Sequence, residues 1–178
     1  MRYIVRTTPS QARWIDYLNN HISNLEVCMD TEQCAMHTWN KSLAMAGDDP
    51  HVNLEDDIIL TNNFVEKIEA VIAERPNEVI QFFSMRQKDI TVGSRYDNSY
   101  LMAQCTYYPA GYAPQILSYE WALLEQEPTG LDLLVCHWLR SRKEKYWIHC
   151  PSLVEHRIAK SRIDTRRSSK RQSKTFQR

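Results

Sequence analysis

The sequence predicts an α/β protein built on one central, mostly parallel sheet flanked by helices, and three observations carry that prediction. Short runs rich in β-branched residues alternate with segments whose apolar residues recur at helical spacing. The connections between them are only a few residues long. Charged or polar residues stand at the ends of the strand-like runs, where open α/β sheets bind their ligands.

The elements follow in order. Tyr3-Ile4-Val5 is a short strand, ended by Arg6-Thr7-Thr8-Pro9-Ser10. Ser10 is the expected N-cap of a helix carrying Trp14, Leu18 and Ile22. Leu25 to Met29 reads as a second strand ending at Asp30, and Trp39, Leu43 and Ala46 mark a helix closed by Gly47-Asp48-Asp49-Pro50. His51-Val52-Asn53-Leu54 is a strand that runs directly into Glu55-Asp56-Asp57. Thr61 or Asn62 is the expected cap of a helix with Phe64, Val65, Ile68, Val71 and Ile72, which Pro76 stops. Val79 to Phe83 is the next strand, and the polar stretch from Gln87 to Tyr100 reads as a loop. Leu101 to Tyr107 predicts a strand, Pro114 to Glu125 and Leu131 to Leu139 predict helices, and Tyr146-Trp147-Ile148 predicts a late strand. The sequence does not give the order of these strands in the sheet.

The chain has 178 residues, of which 43% are hydrophobic and 25% charged, a composition that excludes wholesale disorder. No apolar run approaches the ~20 residues of a membrane helix, and Met-Arg-Tyr-Ile-Val-Arg is too polar for a signal peptide. Five cysteines without a CxxC pair read as reduced thiols of a cytoplasmic protein that does not engage membranes. The formal net charge of zero hides a segregation. Residues 157–178 hold nine basic side chains against Asp164, a net of +8, which leaves −8 on residues 1–156. We expect one domain over residues 1–163 and a basic, flexible tail over 164–178.

Three motifs carry chemistry. Leu54-Glu55-Asp56-Asp57-Ile58 places three consecutive carboxylates at the end of a buried strand, where they repel one another and either call for a cation or form a solvated acidic turn. Hard oxygen ligands select Mg²⁺ or Mn²⁺, ions that bridge carboxylates to substrate phosphates. Pro151-Ser152-Leu153-Val154-Glu155-His156-Arg157 offers a neutral imidazole as a metal ligand, and Arg157 and Lys160 suit a diphosphate. Gly130-Leu131-Asp132 sets an acid on the first turn of an apolar helix, a position that also suits simple capping.

Together these motifs resemble metal-dependent glycosyltransferases of the GT-A fold, and among them the catalytic domain of the type IV N-acetylglucosaminyltransferases. That family carries an EDD form of the DxD metal motif, as at Glu55-Asp56-Asp57, and a later stretch similar to Asp132-Leu133-Leu134-Val135-Cys136-His137-Trp138-Leu139. It then carries Pro-Ser-Leu-x-x-His, as at Pro151–His156, and a following serine, as at Ser161. The family's glycine after the histidine is Arg157 here, and the short chain is similar in size to a minimal, phage-encoded member.

The resemblance implies transfer of a sugar from a nucleotide-diphosphate donor, a UDP-sugar foremost, to an acceptor glycan, protein or modified DNA. It implies Asp57 and His156 as metal ligands, Asp56 as the residue that orients the ribose or a metal-bound water, and Asp132 as the general base of an inverting reaction. Arg157, Lys160 and Ser161 would line the diphosphate, while Arg6, Thr7 and Asp30 would meet the nucleotide. Two other readings stay open. One is a glycoside hydrolase that pairs Asp132 with Glu55 or Asp57. The other is a DNA-binding protein that uses Arg166-Arg167-Ser168-Ser169-Lys170-Arg171 against phosphates. Cys136-His137 and His149-Cys150 lack the spacing of a zinc site.

Overall fold

The structure, a computed structural model, describes residues 1–119, 131–158 and 171–178. Its strands are β1 (Arg2–Thr7), β2 (Leu25–Met29), β3 (His51–Glu55), β4 (Ile58–Leu60), β5 (Ile80–Gln81), β6 (Arg95–Asp97), β7 (Cys105–Tyr108), β8 (Tyr146–Ile148) and β9 (Val154–His156). The helices are α1 (Ala12–Asn19), α2 (Ala35–Ala46), α3 (Phe64–Glu74), the single turn α4 (Asp89–Val92), α5 (Tyr112–Leu117) and α6 (Leu131–Ser141). Seven strands form one mixed sheet in the order β2-β1-β3-β7-β5-β8-β6, and β4 and β9 form a separate two-stranded ladder. No helix among the described residues is long and apolar enough to cross a membrane.

The topology follows from side-chain alternation. Successive residues of a strand face opposite sides, so Tyr3 and Val5 enter one core while Ile4 enters the other. Val52 and Leu54 of β3 join the first core, with Ile15 and Leu18 of α1 and Ile68 and Ile72 of α3. The second core gathers Trp39 and Leu43 of α2, Ile116 of α5, and Val135 and Trp138 of α6. The result is a sheet between two helical layers. From β1 the chain steps outward to β2 through α1, then back past β1 to β3 through α2. α1 and α2 lie on opposite faces of the sheet, which makes the carboxyl ends of β1 and β3 its topological switch point.

Register aligns that edge. β1 pairs in parallel with both neighbours, with Arg6 opposite Glu55 and Thr7 opposite Met29. β7 then runs antiparallel between β3 and β5, which makes the sheet mixed.

A buried polar chain ties β1, β3 and α2 together. Arg6 Nε donates to Asn53 Oδ1 at 2.8 Å, and Asn53 Nδ2 donates to Ser42 Oγ at 2.7 Å. Ser42 Oγ donates in turn to the Trp39 carbonyl at 2.7 Å. Arg6 also donates from Nη2 to the Ala103 carbonyl at 3.2 Å.

Several local expectations change. Pro9 opens a 3-10 turn over Pro9–Gln11, so Ser10 lies inside that turn and α1 starts at Ala12. Ile22 sits beyond α1 yet remains in the core. Asn63, not Thr61 or Asn62, precedes α3, and it adopts the left-handed region at φ 53 that asparagine tolerates. The stretch 87–100 holds α4 and the edge strand β6, because pairing with β8 imposes a strand that no local apolar pattern announces. The strands expected over 79–83 and 101–107 shorten to β5 and β7. The helix expected over 114–125 is α5 where described, and its remainder lies outside the described residues.

The tail also differs from expectation over residues 171–178, which lie against the Pro151–His156 segment. Ser173 N donates to Glu155 Oε1 at 2.8 Å, Ser152 N to Thr175 Oγ1 at 3.1 Å, and Thr61 Oγ1 to the Gln177 carbonyl at 2.8 Å. Hydroxyl and amide bonds hold this part of the chain, which its near-absence of apolar residues concealed.

Two measurements test these features. His51 is fully buried, stacked on Tyr108 at 5.3 Å, with no hydrogen-bond partner at Nε2, and burial pushes its imidazole down to about 4. The unfolded chain therefore takes up a proton first, and stability is lost as pH falls from 6.5 towards about 4. His51→Phe keeps the ring stack and should gain about 2–3 kcal/mol over the native chain across that window, read from urea melts at several pH values. Arg6→Met strands Asn53 Oδ1 and the Ala103 carbonyl and should cost about 2–4 kcal/mol in the same melts at pH 7.

Candidate metal centre

The acidic triplet divides its side chains by the geometry of a strand end. Glu55 and Asp57 are two apart and reach the same side, while Asp56 faces Thr7. Thr7 Oγ1 donates to Asp56 Oδ2 at 2.5 Å. Arg6 Nη2 lies 3.5 Å from Glu55 Oε1, so the end of β1 provides a partner for two of the three acids. The third acid meets β9. The β4–β9 ladder sets Ile58 opposite His156, and Arg157 N donates to the Asp57 carbonyl at 2.8 Å. This brings His156 Nε2 to 3.0 Å from Asp57 Oδ2.

Glu55, Asp57 and His156 form a cluster in which the ligand atoms all lie within 4.8 Å of one another. The chemistry of His156 is the key to it. Nδ1 lies 2.6 Å from the Arg157 carbonyl, an acceptor, so Nδ1 carries a proton and donates. In the neutral ring, Nε2 then holds the lone pair and turns it towards Asp57 and towards Arg171 Nη2, 2.8 Å away. One nitrogen thus faces a carboxylate oxygen and a guanidinium N–H, and it can satisfy only one of them at a time. Burial disfavours the imidazolium, but the Asp57 hydrogen bond and charge more than offset it and raise the titration of His156; Arg171 opposes that rise. Asp57 Oδ1 is buried with no hydrogen-bond partner. Two carboxylates, one orphaned oxygen and an imidazole lone pair form a donor set that suits Mg²⁺ or Mn²⁺.

The charge state of Glu55 reports the same crowding. Burial, then the Asp57 charge, pushes its carboxyl up to about 7, and Arg6 pulls it the other way. Asp132, on the first turn of α6, adds to that rise and also raises the hydroxyls of Tyr100 and Tyr108. Its charge therefore reaches Glu55 of the acidic cluster.

Arg157 lies flat against aromatic rings, with its guanidinium carbon 3.8 Å from the Trp14 centroid and 4.7 Å from that of Tyr17. Its Nε and Nη2 are buried without hydrogen-bond partners, and burial lowers its pKa. A cation held by π-faces, with two donors unspent beside the acids, is built to accept an oxyanion.

The structure thus brings Asp56, Asp57, His156, Arg157 and Asp132 to one region, with Arg6 and Thr7 behind it. Arg6 is turned inward and positions Glu55 and Asn53, and Thr7 positions Asp56, so both support the site from behind rather than face a nucleotide. Asp30 Oδ1 accepts from the amides of Glu32 and Cys34 at 3.1 and 3.2 Å, which closes the turn into α2. Lys160 and Ser161 lie outside the described residues. Sequence reasoning missed Glu55 as a ligand, although the alternation of the strand pairs it with Asp57. It also missed Trp14 and Tyr17 as the bed for Arg157, and it read Arg171 only as part of a basic run that could meet phosphates.

No family model and no curated protein matches the chain. Among solved structures it is similar to A197 from STIV, with a TM-score of 0.54 and 14% sequence identity over 89% of this chain and 87% of that one. That likeness supports the α/β fold with its mixed, helix-flanked sheet.

Proposed function

We propose that the chain is a metal-dependent glycosyltransferase of the GT-A type that moves a sugar from a nucleotide-diphosphate donor to an acceptor hydroxyl. The observation that carries this reading is the Asp57–His156 pair at 3.0 Å, joined by Glu55 at the carboxyl end of β3. Asp57, His156 and Glu55 would hold Mn²⁺ or Mg²⁺, which when bound neutralises charge on the leaving diphosphate. The unspent donors of Arg157 would bind a phosphate oxygen, and its stack on Trp14 fixes their direction. Asp56, steadied by Thr7, is oriented for a ribose hydroxyl. Asp132 would take the acceptor proton as general base, and placement across the sugar from the leaving group gives inversion.

One observation favours a second reading. A carboxyl at about 7, such as Glu55, suits the general acid of a glycoside hydrolase that pairs it with Asp132. The orphaned guanidinium donors of Arg157 have no use in that chemistry, so we place transfer first. Sugar release with water as sole acceptor, independent of metal, would reverse the order.

Thermal unfolding with a panel of nucleotide-sugars, with and without Mn²⁺, tests the main reading. The matching donor with Mn²⁺ should raise Tm by about 5 °C or more at saturation, and Asp57→Asn should abolish the Mn²⁺-dependent part. No response to any nucleotide removes the reading. Asp132→Asn should keep the donor-induced shift while transfer falls about 10²-fold or more, and a product with retained configuration removes Asp132 from the role of base.

A further inference from the structure

We infer that Arg171 is the chain's own occupant of the cation position, so that a divalent ion and the docked C-terminal segment exclude each other at His156. This rests on the metal reading of the Glu55–Asp57–His156 cluster. The argument is one of lone pairs. An imidazole nitrogen has a single lone pair in the ring plane, and with Nδ1 donating to the Arg157 carbonyl, that pair is at Nε2. Arg171 Nη2 takes it at 2.8 Å. A cation bonded to Nε2 needs the same pair, so Arg171 must leave before the ion binds. Charge acts in the same direction, because a guanidinium beside Asp57 and His156 offsets the acids as an ion would and repels an incoming one.

The segment that carries Arg171 is suited to let go. Ser173 Oγ donates to Ser152 Oγ at 2.8 Å, Ser173 N to Glu155 Oε1, and Thr175 Oγ1 accepts from Ser152 N. These contacts are hydroxyl and amide bonds that water replaces at little cost. Arg171 Nε is itself buried with no hydrogen-bond partner, so the guanidinium is only partly satisfied where it rests. Asp57 Oδ1 keeps no partner while Arg171 is docked. Both groups are better served when the ion enters and the arginine turns to a phosphate or to water. Ion entry is thereby coupled to release of residues 171–178.

Mn²⁺ alone is the probe, titrated into the full chain by calorimetry and by the loss of its free-ion EPR signal. Arg171→Met should bind Mn²⁺ at least about tenfold tighter than the native chain, while Arg171→Lys, which keeps the charge, should fall between the two. Amide exchange at Ser173 should rise on saturation of the native chain with Mn²⁺. Equal affinity in all three chains, or unchanged exchange at Ser173 with Mn²⁺ bound, overturns the role of Arg171 and leaves the metal site standing. If no chain binds Mn²⁺ while each unfolds cooperatively, the metal reading itself falls, and this inference with it.

Discussion

Three carboxylates in consecutive residues at the mouth of a buried strand are the constraint on which the rest of the site depends. Unsolvated like charges at that spacing are unfavourable unless each finds a separate partner. The fold supplies three of different kinds. Glu55 has the Arg6 guanidinium, Asp56 the Thr7 hydroxyl, and Asp57 the His156 imidazole, for whose Nε2 it competes with Arg171. Two come from β1, which register places alongside β3, and the third comes from the far end of the chain through β9. Thr7 and Arg6 are thus scaffold for the acids, held in turn by the buried chain through Asn53 and Ser42.

The same arrangement leaves the acids incompletely neutralised. Asp57 Oδ1 lacks a partner, Glu55 is pushed towards neutrality, and Asp132 adds negative charge from α6. The body of the protein is acidic around these residues, and besides Arg6 the cations beside them, Arg157 and Arg171, come from the basic C-terminal part. Arg157 is fixed by aromatic stacking, and Arg171 by polar contacts that exchange readily with water. One is a permanent fixture and the other a removable one.

Much of this was legible in the sequence, for physical reasons that differ by residue. The strands over residues 3–5, 25–29, 51–54 and 146–148 announced themselves as short, largely apolar runs in the rhythm of strand and helix segments. Asp57 and His156 were legible as a pair only through the motif resemblance, because the β4–β9 ladder that joins them is a non-local pairing. Strand β6 was invisible for the same reason, since Arg95-Tyr96-Asp97 has no apolar pattern of its own. Arg6 read as a ligand-facing cation because it stands at a strand end. Its inward turn depends on Asn53 and Ala103, which sequence alone cannot place beside it. Asp30 read as a nucleotide contact on the same ground, and the structure gives one of its oxygens to the turn before α2.

The small β4–β9 ladder carries a consequence for the order of events in synthesis. Residues 58–60 emerge from the ribosome long before residues 154–156, so the N-terminal half must collapse around β1, β2 and β3 with its acidic turn still waiting for an imidazole. During that interval the acids have solvent and Arg6 for company. The imidazole of His156 and the guanidinium of Arg171 lie in one late segment and join the acids together. The acidic turn is therefore in place long before the segment that carries both His156 and Arg171 is made.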